Sequence, residues 1–561
     1  MPNSAENSTG LGFKRQRLTV TQPVPVSFHK PDASGPLQAS TNAIVLCTLN
    51  ARYIHASLGL RYLHANMGSL EKYSRVLEFT INERAIDIAE QLISIDPKII
   101  GFGVYIWNVK QTTELIALIK KLKPQIKIVI GGPEVSYEYD DTPIFDHCNH
   151  LITGQADLAF AALCQQLLRH NNTVPKVIEA GTPSVHELEL PYKHYAADDI
   201  SHRVLYVEAS RGCPFKCEFC LSALDKTAWP FNLDNFLGEI ESLYKRGARQ
   251  FKFVDRTFNL KTATCTSILE FFLQRLALGD ELFLHFEVIP DRLPDALKDL
   301  IRQFPAGSLQ FEIGIQSFDE KVQKCINRKQ NIERTVSNLQ WLHNHSNAHI
   351  HADLIFGLPG ETEESFAQGF DRLVSLQPDE IQLGILKRLR GSPIVNKTSE
   401  YRMIYSDEAP YELLQNRDVS FETMQRVKRF ARYWDLIANS GRFKHTLPAL
   451  LADQPFTRFM RFSNWLYAST GQTHKISYAR LLALVHGGAT ELGLANEDKL
   501  YASLSADSAA NGDPHPPRWL DKRLAAPTKK LSSAQESKSA DTKSQQTPSR
   551  QKRHITSNST N

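Results

Sequence analysis

The chain has 561 residues, too many for one hydrophobic core, so about three or four domains are expected. An apolar content of 42% and a charged content of 22% are those of an ordinary globular protein. No apolar run reaches the roughly eighteen residues of a membrane span, and no signal peptide opens the chain, so neither is predicted.

The formal net charge is +4 and is unevenly distributed. Residues 521–561 carry +6 and residues 1–42 carry +2, which leaves −4 on the segment between them. A mildly acidic body is not the electrostatic footprint of nucleic-acid binding, so nucleic acid is not an expected partner. Eight cysteines, five of them scattered singly, do not form a secreted disulfide framework. We therefore predict a cytoplasmic protein.

The amino-terminal third predicts a doubly wound α/β domain. Residues 1–42 are rich in Ser, Pro, Asn and Thr and are predicted to be disordered. Over residues 43–170, apolar runs of strand length alternate with helical patterns, which indicates a parallel sheet with right-handed crossovers. The predicted strands are 43–49, 76–79, 99–105 and 127–130, and the predicted helices between them are 86–95 and 112–121.

Glycines mark the predicted strand ends, where ligands of open α/β sheets bind. The stretches GFGVYIWN (101–108) and IVIGGPEVSYE (128–138) resemble the cobalamin-binding domain that precedes many radical enzymes. The resemblance implies that cobalamin contacts glycines on these loops and on the GQAD stretch that starts at residue 154. These candidate contacts are Gly103, Gly131, Gly132 and Gly154.

That cobalamin-binding family supplies a histidine ligand to cobalt from a D-x-H-x-x-G motif. The nearest stretch here, YIHASL at 53–58, lacks both the Asp and the Gly. His55 therefore remains a candidate cobalamin contact, interpreted as a pocket residue or a neighbour of a helix N-cap rather than as a cobalt ligand. A structural histidine is the common alternative.

After a proline-containing stretch at 171–200, interpreted as a linker, a second series of strands and helices spans residues 201–395. Six strands in this length are too few for an eight-stranded barrel and predict a partial (β/α)6 barrel. Their carboxyl ends are the expected place for chemistry. The predicted strands are 204–209, 250–254, 282–288, 308–315, 349–356 and 380–386.

Three cysteines follow the first of these strands in a C-x3-C-x2-C run: Cys213, Cys217 and Cys220. Thiolates hold iron–sulfur clusters, and three ligands on a four-iron cluster leave one iron open. Cysteines that are merely buried or disulfide-bonded are the alternative.

Residues 200–395 resemble the radical S-adenosylmethionine (SAM) superfamily, whose motif C-x3-C-x-φ-C has an aromatic residue at φ, here Phe219. The resemblance implies a 4Fe-4S cluster that binds SAM at its open iron and cleaves it reductively to a 5′-deoxyadenosyl radical. It also implies that Phe219 lies near the adenine and that polar groups at later strand ends contact SAM. The remaining SAM candidates are Asp255, Glu287, Glu312, Gln316, Asp353, Ile355 and Gly357.

After residue 395 the pattern becomes helical. Ser420 precedes an amphipathic helix that closes at Gly441, and its aromatic stripe is interpreted as core. The order of the domains, with phrases such as LNARYIHASLGLRYL, resembles an uncharacterised bacterial family whose carboxyl-terminal domain is DUF4080-like. Residues 396–520 are therefore predicted to form a helical domain, and the basic residues 521–561 a disordered tail.

The sequence thus predicts a radical SAM enzyme with cobalamin as second cofactor, and methyl transfer to an unactivated carbon is the reaction that the resemblance implies. A reducing electron donor such as flavodoxin or ferredoxin is the expected partner, and catalytic residues are not assigned. A non-methylating rearrangement, modification of RNA or protein, and a non-catalytic iron–sulfur or cobalamin carrier or sensor remain alternatives. At the last strand end, Lys387, Arg388 and Arg390 are interpreted either as a solvated basic face or as holding an anionic substrate or a corrin side chain.

Overall fold

A computed structural model describes the chain over 42–169, 174–225 and 227–512, and at Leu520, Arg550, Gln551 and Arg553. The disorder predicted for residues 1–42 and 521–561 lies outside the described residues, except at Asn42 and at the three residues from 550 onwards. Arg550 forms an ion pair with Glu380 at 2.8 Å, so this point of the tail contacts the barrel. No helix in the described part is both long and apolar enough to cross a bilayer.

The first domain is a parallel six-stranded sheet in the order β2-β1-β3-β4-β5-β6. Every residue of the central strand β1 is buried, because helices cover both faces of the sheet. The side chains of Val45 and Cys47 enter one core and those of Ile44 and Leu46 the other. The strands are β1 (Ile44–Asn50), β2 (Ser74–Thr80), β3 (Ile99–Gly103), β4 (Lys127–Gly131), β5 (His150–Thr153) and β6 (Val177–Glu179).

Helices follow the strands of this domain, and the second and third of them, Ala85–Ser94 and Val109–Leu122, match the predicted helices at 86–95 and 112–121. Ser57 is the N-cap of the first and accepts a hydrogen bond from Leu60 N. In the third, Leu115, Ile116 and Ile119 form the buried stripe. The helices are α1 (Leu58–Ala65), α2 (Ala85–Ser94), α3 (Val109–Leu122), α4 (Pro143–His147) and α5 (Ala159–Leu168), with a 3-10 turn at Gly68–Tyr73.

The two outer strands β5 and β6 were not predicted. Both are short, and β6 lies within the range 171–200, interpreted from its prolines as a linker. That range also contains 3-10 turns at Val185–Glu187 and Tyr192–His194. Tyr192 and Tyr195 are fully buried and hydrogen-bond to the backbone of Glu208 and Tyr206. The segment is therefore packed against the second domain rather than extended between two domains.

The second domain is a parallel sheet of six strands in the order β14-β13-β12-β11-β10-β7, and the predicted partial barrel is confirmed. The two edge strands do not pair with each other, so the barrel stays open on one side. A separate hairpin carries the cysteine run. The strands are β7 (Leu205–Val207), β8 (Ser210–Gly212), β9 (Ala228–Pro230), β10 (Gln250–Phe253), β11 (Phe283–Val288), β12 (Leu309–Gln316), β13 (His349–Phe356) and β14 (Glu380–Ile385).

Helices cover the outside of this barrel and bury apolar side chains from alternate strand positions, such as Phe251 and Phe253. Lys252, between these two phenylalanines, faces the lumen, where its amine lies 3.6 Å from Glu312. The helices are α6 (Ala197–His202), α7 (Leu233–Lys245), α8 (Thr262–Leu276), α9 (Asp295–Ile301), α10 (Glu320–Cys325), α11 (Ile332–His345) and α12 (Glu363–Ser375), with 3-10 turns at Leu221–Leu224, Phe258–Leu260 and Pro393–Lys397.

The carboxyl-terminal region is helical, as predicted, after one small antiparallel hairpin. Phe430 and Trp434 of its long helix are buried and pack on Phe370 of α12, so the aromatic stripe is core. Its elements are β15 (Ile404–Tyr405), β16 (Leu413–Gln415), α13 (Phe421–Ile437), α14 (Leu447–Leu451), α15 (Pro455–Thr470), α16 (Tyr478–Glu491) and α17 (Glu497–Ala510). The predicted fold class is therefore confirmed: a doubly wound sheet, a partial barrel and a helical carboxyl-terminal region.

Candidate active site

The three cysteines lie in the loop of the β8–β9 hairpin, directly after the first barrel strand. Gly212 enters this loop with a φ of 97°, and a Cβ there would lie 2.1 Å from the carbonyl oxygen of Thr227. Only glycine fits that close backbone approach. The loop is also tied to the barrel: Glu218 N donates to Ile326 O at 2.9 Å, and Ile394 N donates to Glu218 O at 2.8 Å. The thiols therefore occupy a fixed position.

Asp255, a predicted SAM contact, lies beneath this loop instead of facing the cavity beside it. Its carboxylate accepts hydrogen bonds from Ala209 N at 2.9 Å and from Ser210 Oγ at 2.6 Å. Both donors connect β7 to the cysteine hairpin. Burial raises the pKa of Asp255 to about 7. The structure thus gives this carboxylate a positioning contact with the loop.

A cavity of about 270 Å³ opens beside the cysteines at the carboxyl ends of the barrel strands. All three cysteines line it, and so do five of the predicted SAM contacts. Ile355 and Gly357 do not, since Ile355 packs against the core and Gly357 abuts Leu413 and Met424. The five lining candidates are Phe219, Glu287, Glu312, Gln316 and Asp353.

The carboxylates of the cavity differ in charge state. Burial alone would raise the pKa of Glu312, but the hydrogen bond from His285 at 3.0 Å and the charge of Lys252 hold it at about 2. Burial, reinforced by Glu312 and Glu287, raises the pKa of Asp353 well above its usual range. Burial also raises the pKa of Glu287. The cavity can therefore offer both an ionised acceptor and a protonated donor.

Gln316 combines two signs of a ligand-binding position. Its backbone φ is 71°, which is uncommon for a residue other than glycine, at a point where the register between β12 and β13 shifts. Its buried Oε1, like the buried Oδ1 of Asp353, has no hydrogen-bond partner among the described residues. Buried polar atoms are rarely left unpaired, so these atoms fit a polar ligand such as SAM.

Three cationic residues that line this cavity were missed in the sequence: Arg256, Arg328 and Lys329. Arg328 donates through Nε to Gln330 at 2.8 Å and through Nη2 to Gly314 O, and its Nη1 lies 3.6 Å from Cys217 Sγ. It follows α10, so no strand-end rule points to it. Arg256 directly follows Asp255, and only the turn after β10 directs its side chain to the cavity.

A second cavity of about 490 Å³ lies between the first sheet and the barrel. It is lined by all four predicted glycines, Gly103, Gly131, Gly132 and Gly154. Gly132 has a φ of 117°, and a Cβ there would lie 2.4 Å from Val104 O, so the β4 loop needs glycine. The glycine edges leave the open, apolar floor that a large cofactor requires.

His55 does not line this second cavity. Its Nδ1 lies 2.7 Å from the hydroxyl of Tyr206, at the edge strand of the barrel, and its backbone bridges to Val204. Burial lowers its pKa. Ser57, two positions on, is the N-cap of α1. The structure thus brings His55 to the barrel edge, away from the glycines.

Arg211, which lines the second cavity, joins the first domain to the cysteine hairpin. It forms ion pairs with Glu208 at 2.7 Å and Asp157 at 3.1 Å, donates to Gln155 Oε1 at 3.3 Å, and stacks over Tyr62 at 4.5 Å. Asp157 and Gln155 belong to the first domain, whereas Arg211 belongs to the cysteine hairpin. The guanidinium is therefore saturated by contacts that join the domains.

The basic residues after β14 also join domains. Arg388 forms an ion pair with Glu138 at 2.6 Å, and Arg390 with Glu134 at 3.1 Å. Tyr411 of the carboxyl-terminal region donates to Glu134 at 2.5 Å. Both glutamates lie on the loop after β4. These two arginines are thus not a free basic face, because both pair with glutamates of the first domain.

The residues of both cavities fit the cofactors predicted from the sequence. All eight cysteines are free, and the three of the run share one cavity beside the polar groups described above. Among the described residues, no three His, Cys, Asp or Glu side chains converge on a single metal ion. A cluster binds its thiolates at separate corners, so thiols spread around one cavity suit it better than a mononuclear ion.

Three family models match successive parts of the chain. The B12 binding domain matches residues 44–164, the Radical SAM superfamily matches 207–373, and DUF4080, a protein of unknown function, matches 399–558. The chain is a radical SAM protein with a B12-binding domain. The predicted family is confirmed, and so are the cofactor classes: an iron–sulfur cluster, SAM and cobalamin.

Curated relatives agree with this assignment at low identity. The cobalamin-dependent radical SAM methyltransferase TokK of Streptomyces tokunonensis is 24% identical over 327 residues, which are 52% of this chain and 47% of TokK. The 2-(S-pantetheinyl)-carbapenam-3-carboxylate methyltransferase of Streptantibioticus cattleyicolor is 25% identical over 50% of this chain and 45% of its own length. The chain therefore spans less than half the length of either relative.

Solved structures agree on the fold. The cobalamin-dependent S-adenosylmethionine radical enzyme OxsB, with aqua-cobalamin bound, superposes with a TM-score of 0.55 at 13% identity over 85% of each chain. The radical SAM methyltransferase TsrM of Kitasatospora setae, with cobalamin and a [4Fe-4S] cluster bound, has a TM-score of 0.52 at 16% identity over 66% of this chain and 82% of TsrM.

Proposed function

We propose that the protein is a cobalamin-dependent radical SAM enzyme that transfers a methyl group to an unactivated carbon of an organic substrate. One observation carries the proposal: the cluster cavity and the glycine-lined cavity meet at Arg256, which lines both. A substrate at that junction would lie between the two cofactors. The methyltransferase names of the relatives in Streptomyces and Streptantibioticus support the same reaction.

The residues of the cluster cavity have distinct tasks in this proposal. Cys213, Cys217 and Cys220 would hold the cluster, which supplies the electron for cleavage of SAM to methionine and a 5′-deoxyadenosyl radical, while cobalamin in the other cavity supplies the methyl group. The guanidinium of Arg328 lies beside Cys217 Sγ, where it offsets thiolate charge. Phe219 presents an apolar ring to the cavity and excludes water.

The polar residues of the same cavity would orient SAM. Glu312, which Lys252 and His285 keep ionised, accepts hydrogen bonds from ammonium or hydroxyl groups. Asp353, whose pKa burial raises, holds a proton and can donate one. The amide of Gln316 offers a fixed donor and acceptor, and its strained backbone aims it at the cavity.

We also propose a reducing setting with an external electron donor. The eight cysteines are free thiols, and a cluster with an open iron needs protection from oxidation. A cytoplasmic location and reduction by a flavodoxin- or ferredoxin-like protein fit both requirements.

The reaction is tested on anaerobically reconstituted protein supplied with a chemical reductant, SAM and hydroxocobalamin. We expect 5′-deoxyadenosine and a visible-absorbance change on binding of cobalamin. Incubation with metabolite or protein extract and SAM that carries a labelled methyl group should place the label in a stable product. Labelled methyl in no product, with 5′-deoxyadenosine still formed, would favour the non-methylating alternatives. Absence of both would favour a carrier or sensor.

Cys217→Ser supplies the decisive variant, and Cys265→Ser the matched control. Cys265 is also a buried barrel cysteine, but its thiol donates to Phe258 O at 2.8 Å, a bond that a hydroxyl can keep. We expect Cys217→Ser to lose 5′-deoxyadenosine formation and Cys265→Ser to retain it. Equal activity of the two variants would contradict the assignment of the cluster.

A further inference from the structure

Arg256 is the one residue that lines both cavities among those the structure describes. It lies immediately after β10, at the end of the strand that pairs with β7 and β11. Its side chain is 56% exposed, and that exposed surface faces the two cavities. A guanidinium in this position lies where the two cofactor sites meet.

The guanidinium of Arg256 has unused donors. Its Nη1 contacts the carboxylate of Glu287 at 3.2 and 3.5 Å, and within the described residues its Nε and Nη2 bond to nothing. The other two arginines of the cavities differ in this respect. Arg211 contacts two carboxylates, those of Glu208 and Asp157, and the amide of Gln155. Arg328 donates to the amide of Gln330 and to Gly314 O, and its third nitrogen lies beside Cys217 Sγ.

Unused guanidinium donors in a partly desolvated site bind oxyanions strongly. The planar fork of arginine matches a carboxylate or phosphate with two parallel hydrogen bonds. A guanidinium edge that no carboxylate of the described residues occupies, at the junction of two cavities, is therefore suited to an anionic ligand. SAM has its own candidates on the cluster side, in Arg328, Glu312, Gln316 and Asp353.

We propose that Arg256 anchors an oxyanion, a carboxylate or a phosphate, of the substrate that reacts between the two cofactors. This inference rests on the proposed function and assigns a substrate class to its site. Nη1 of Arg256 contacts Glu287, and the Nε and Nη2 edge of the same guanidinium donates hydrogen bonds to the oxyanion of the substrate. The anchor holds the reacting carbon at the junction of the cavities, where both cofactor sites are accessible.

The first test needs no substrate. The reconstituted, cobalamin-loaded protein is treated with the arginine reagent phenylglyoxal, with inorganic phosphate or acetate as the probe anion, and modification is followed at Arg256 by peptide mass spectrometry. We expect either anion to slow modification of Arg256 about tenfold or more. Arg84, an exposed arginine that pairs with Asp87 on the first domain, is the internal reference and should be slowed little. Equal slowing at both arginines would overturn the proposal.

The second test uses the substrate itself. Cell extract is separated at neutral pH into fractions retained and not retained by an anion exchanger, and each is tested for stimulation of 5′-deoxyadenosine formation. We expect stimulation by the retained fraction. In Arg256→Gln this stimulation, expressed relative to the substrate-independent SAM cleavage of the same variant, should fall about ten- to a hundredfold, and Arg256→Lys should be intermediate. Arg84→Gln serves as the matched control.

The outcomes separate this proposal from the reaction itself. If only the unretained fraction stimulates, or if stimulation is unchanged in Arg256→Gln, Arg256 does not anchor the substrate. The proposal of methyl transfer is not contradicted by either result. Loss of substrate-independent cleavage in the variant would show that Arg256 binds SAM. Loss of bound cobalamin alone would show that it binds cobalamin. Either result would contradict the proposal. Phosphatase treatment of the active fraction distinguishes a phosphate, which is removed, from a carboxylate, which survives.

Discussion

Asp255 and Arg256 are neighbours in the chain with opposite environments. The carboxylate of Asp255 is 2% exposed and holds the start of the cysteine loop, whereas the side chain of Arg256 reaches the two cavities. The carboxylate of Asp255 accepts hydrogen bonds from Ala209 N and Ser210 Oγ, and neither donor is a cation. Burial without a countercharge raises its pKa to about 7. The carboxylate is therefore a titratable support of the loop.

Replacing Asp255 by Asn tests that role. The amide keeps the contacts, since its oxygen accepts from Ala209 N and its NH₂ can donate to Ser210 Oγ. In the parent protein, Asp255 has a pKa of about 7 in the folded state and about 4 in the unfolded state. The folded state therefore keeps a proton that the unfolded state has released. This contribution to the free energy of unfolding is present in full at low pH and is lost as the pH rises to about 7. We expect the parent to lose roughly 2–3 kcal/mol relative to Asp255→Asn between pH 5 and 7.

The measurement is the difference in Tm between the two proteins across that pH range under anaerobic conditions. A difference that stays constant with pH would contradict a raised pKa for Asp255. The difference should level off above pH 7, because the carboxylate is then ionised in both states.

At the scale of elements, the ends of β3 and β4 open the floor of the second cavity. Gly132 is held in a left-handed conformation against Val104 O, so any side chain there strains the loop. Gly103 has ordinary space, since a Cβ would lie 3.5 Å from Leu60 and Thr48. It also lies in a strand, where β-branched residues are favoured. A larger side chain at Gly103 therefore fills the cavity without straining the backbone.

Gly103→Val is expected to lower cobalamin affinity about tenfold or more and to change the stability of the cobalamin-free protein by less than about 1 kcal/mol. Gly238→Ala, on the exposed face of α7 with nothing near its added Cβ, is the control and should retain affinity while gaining about 0.5–1 kcal/mol in stability. Cobalamin titration followed by visible absorbance, with Tm for stability, measures both. Unchanged affinity in Gly103→Val would place cobalamin elsewhere.

At the scale of the whole molecule, one buried carboxylate joins all three parts. Glu134, on the glycine loop of the first domain, is 5% exposed and meets Arg390 of the barrel and Tyr411 of the carboxyl-terminal region. A second contact across the same region, Lys110 with Glu408 at 3.6 Å, is exposed to solvent. The buried junction should be energetically coupled and the exposed pair should not.

A double-mutant cycle of Glu134→Gln and Arg390→Gln is expected to give a coupling energy of about 0.5–3 kcal/mol. Each single change leaves a buried partner uncompensated, so each should also lower Tm and weaken cobalamin binding through the loop of Gly132. The cycle of Lys110→Gln and Glu408→Gln is the control and should give a value near zero. Equal coupling in the two cycles would contradict the role of the buried junction.

The sequence by itself determined the fold classes, their order along the chain and the cysteine loop, because each of these depends on residues that are close in the chain. Alternating strand and helix patterns predicted β1 to β4 of the first sheet and all six strands of the barrel sheet, while the short strands β5 and β6 carried too little pattern. Spacing singled out Cys213, Cys217 and Cys220, the resemblance to the radical SAM superfamily added Phe219, and all four line one cavity. The glycines at the ends of the predicted strands indicated the second cavity, because ligands of open α/β sheets bind at strand ends.

Only the tertiary structure decided which polar residues face those cavities. At the end of a strand, either of two successive side chains can face the site. The turn after β10 buries Asp255 and directs Arg256 to both cavities. Arg328 reaches the cluster cavity only after a helix, and Arg390 meets Glu134 from 256 residues away in the chain. Contacts of this kind depend on how elements pack and on the charges already buried there, which no local spacing encodes.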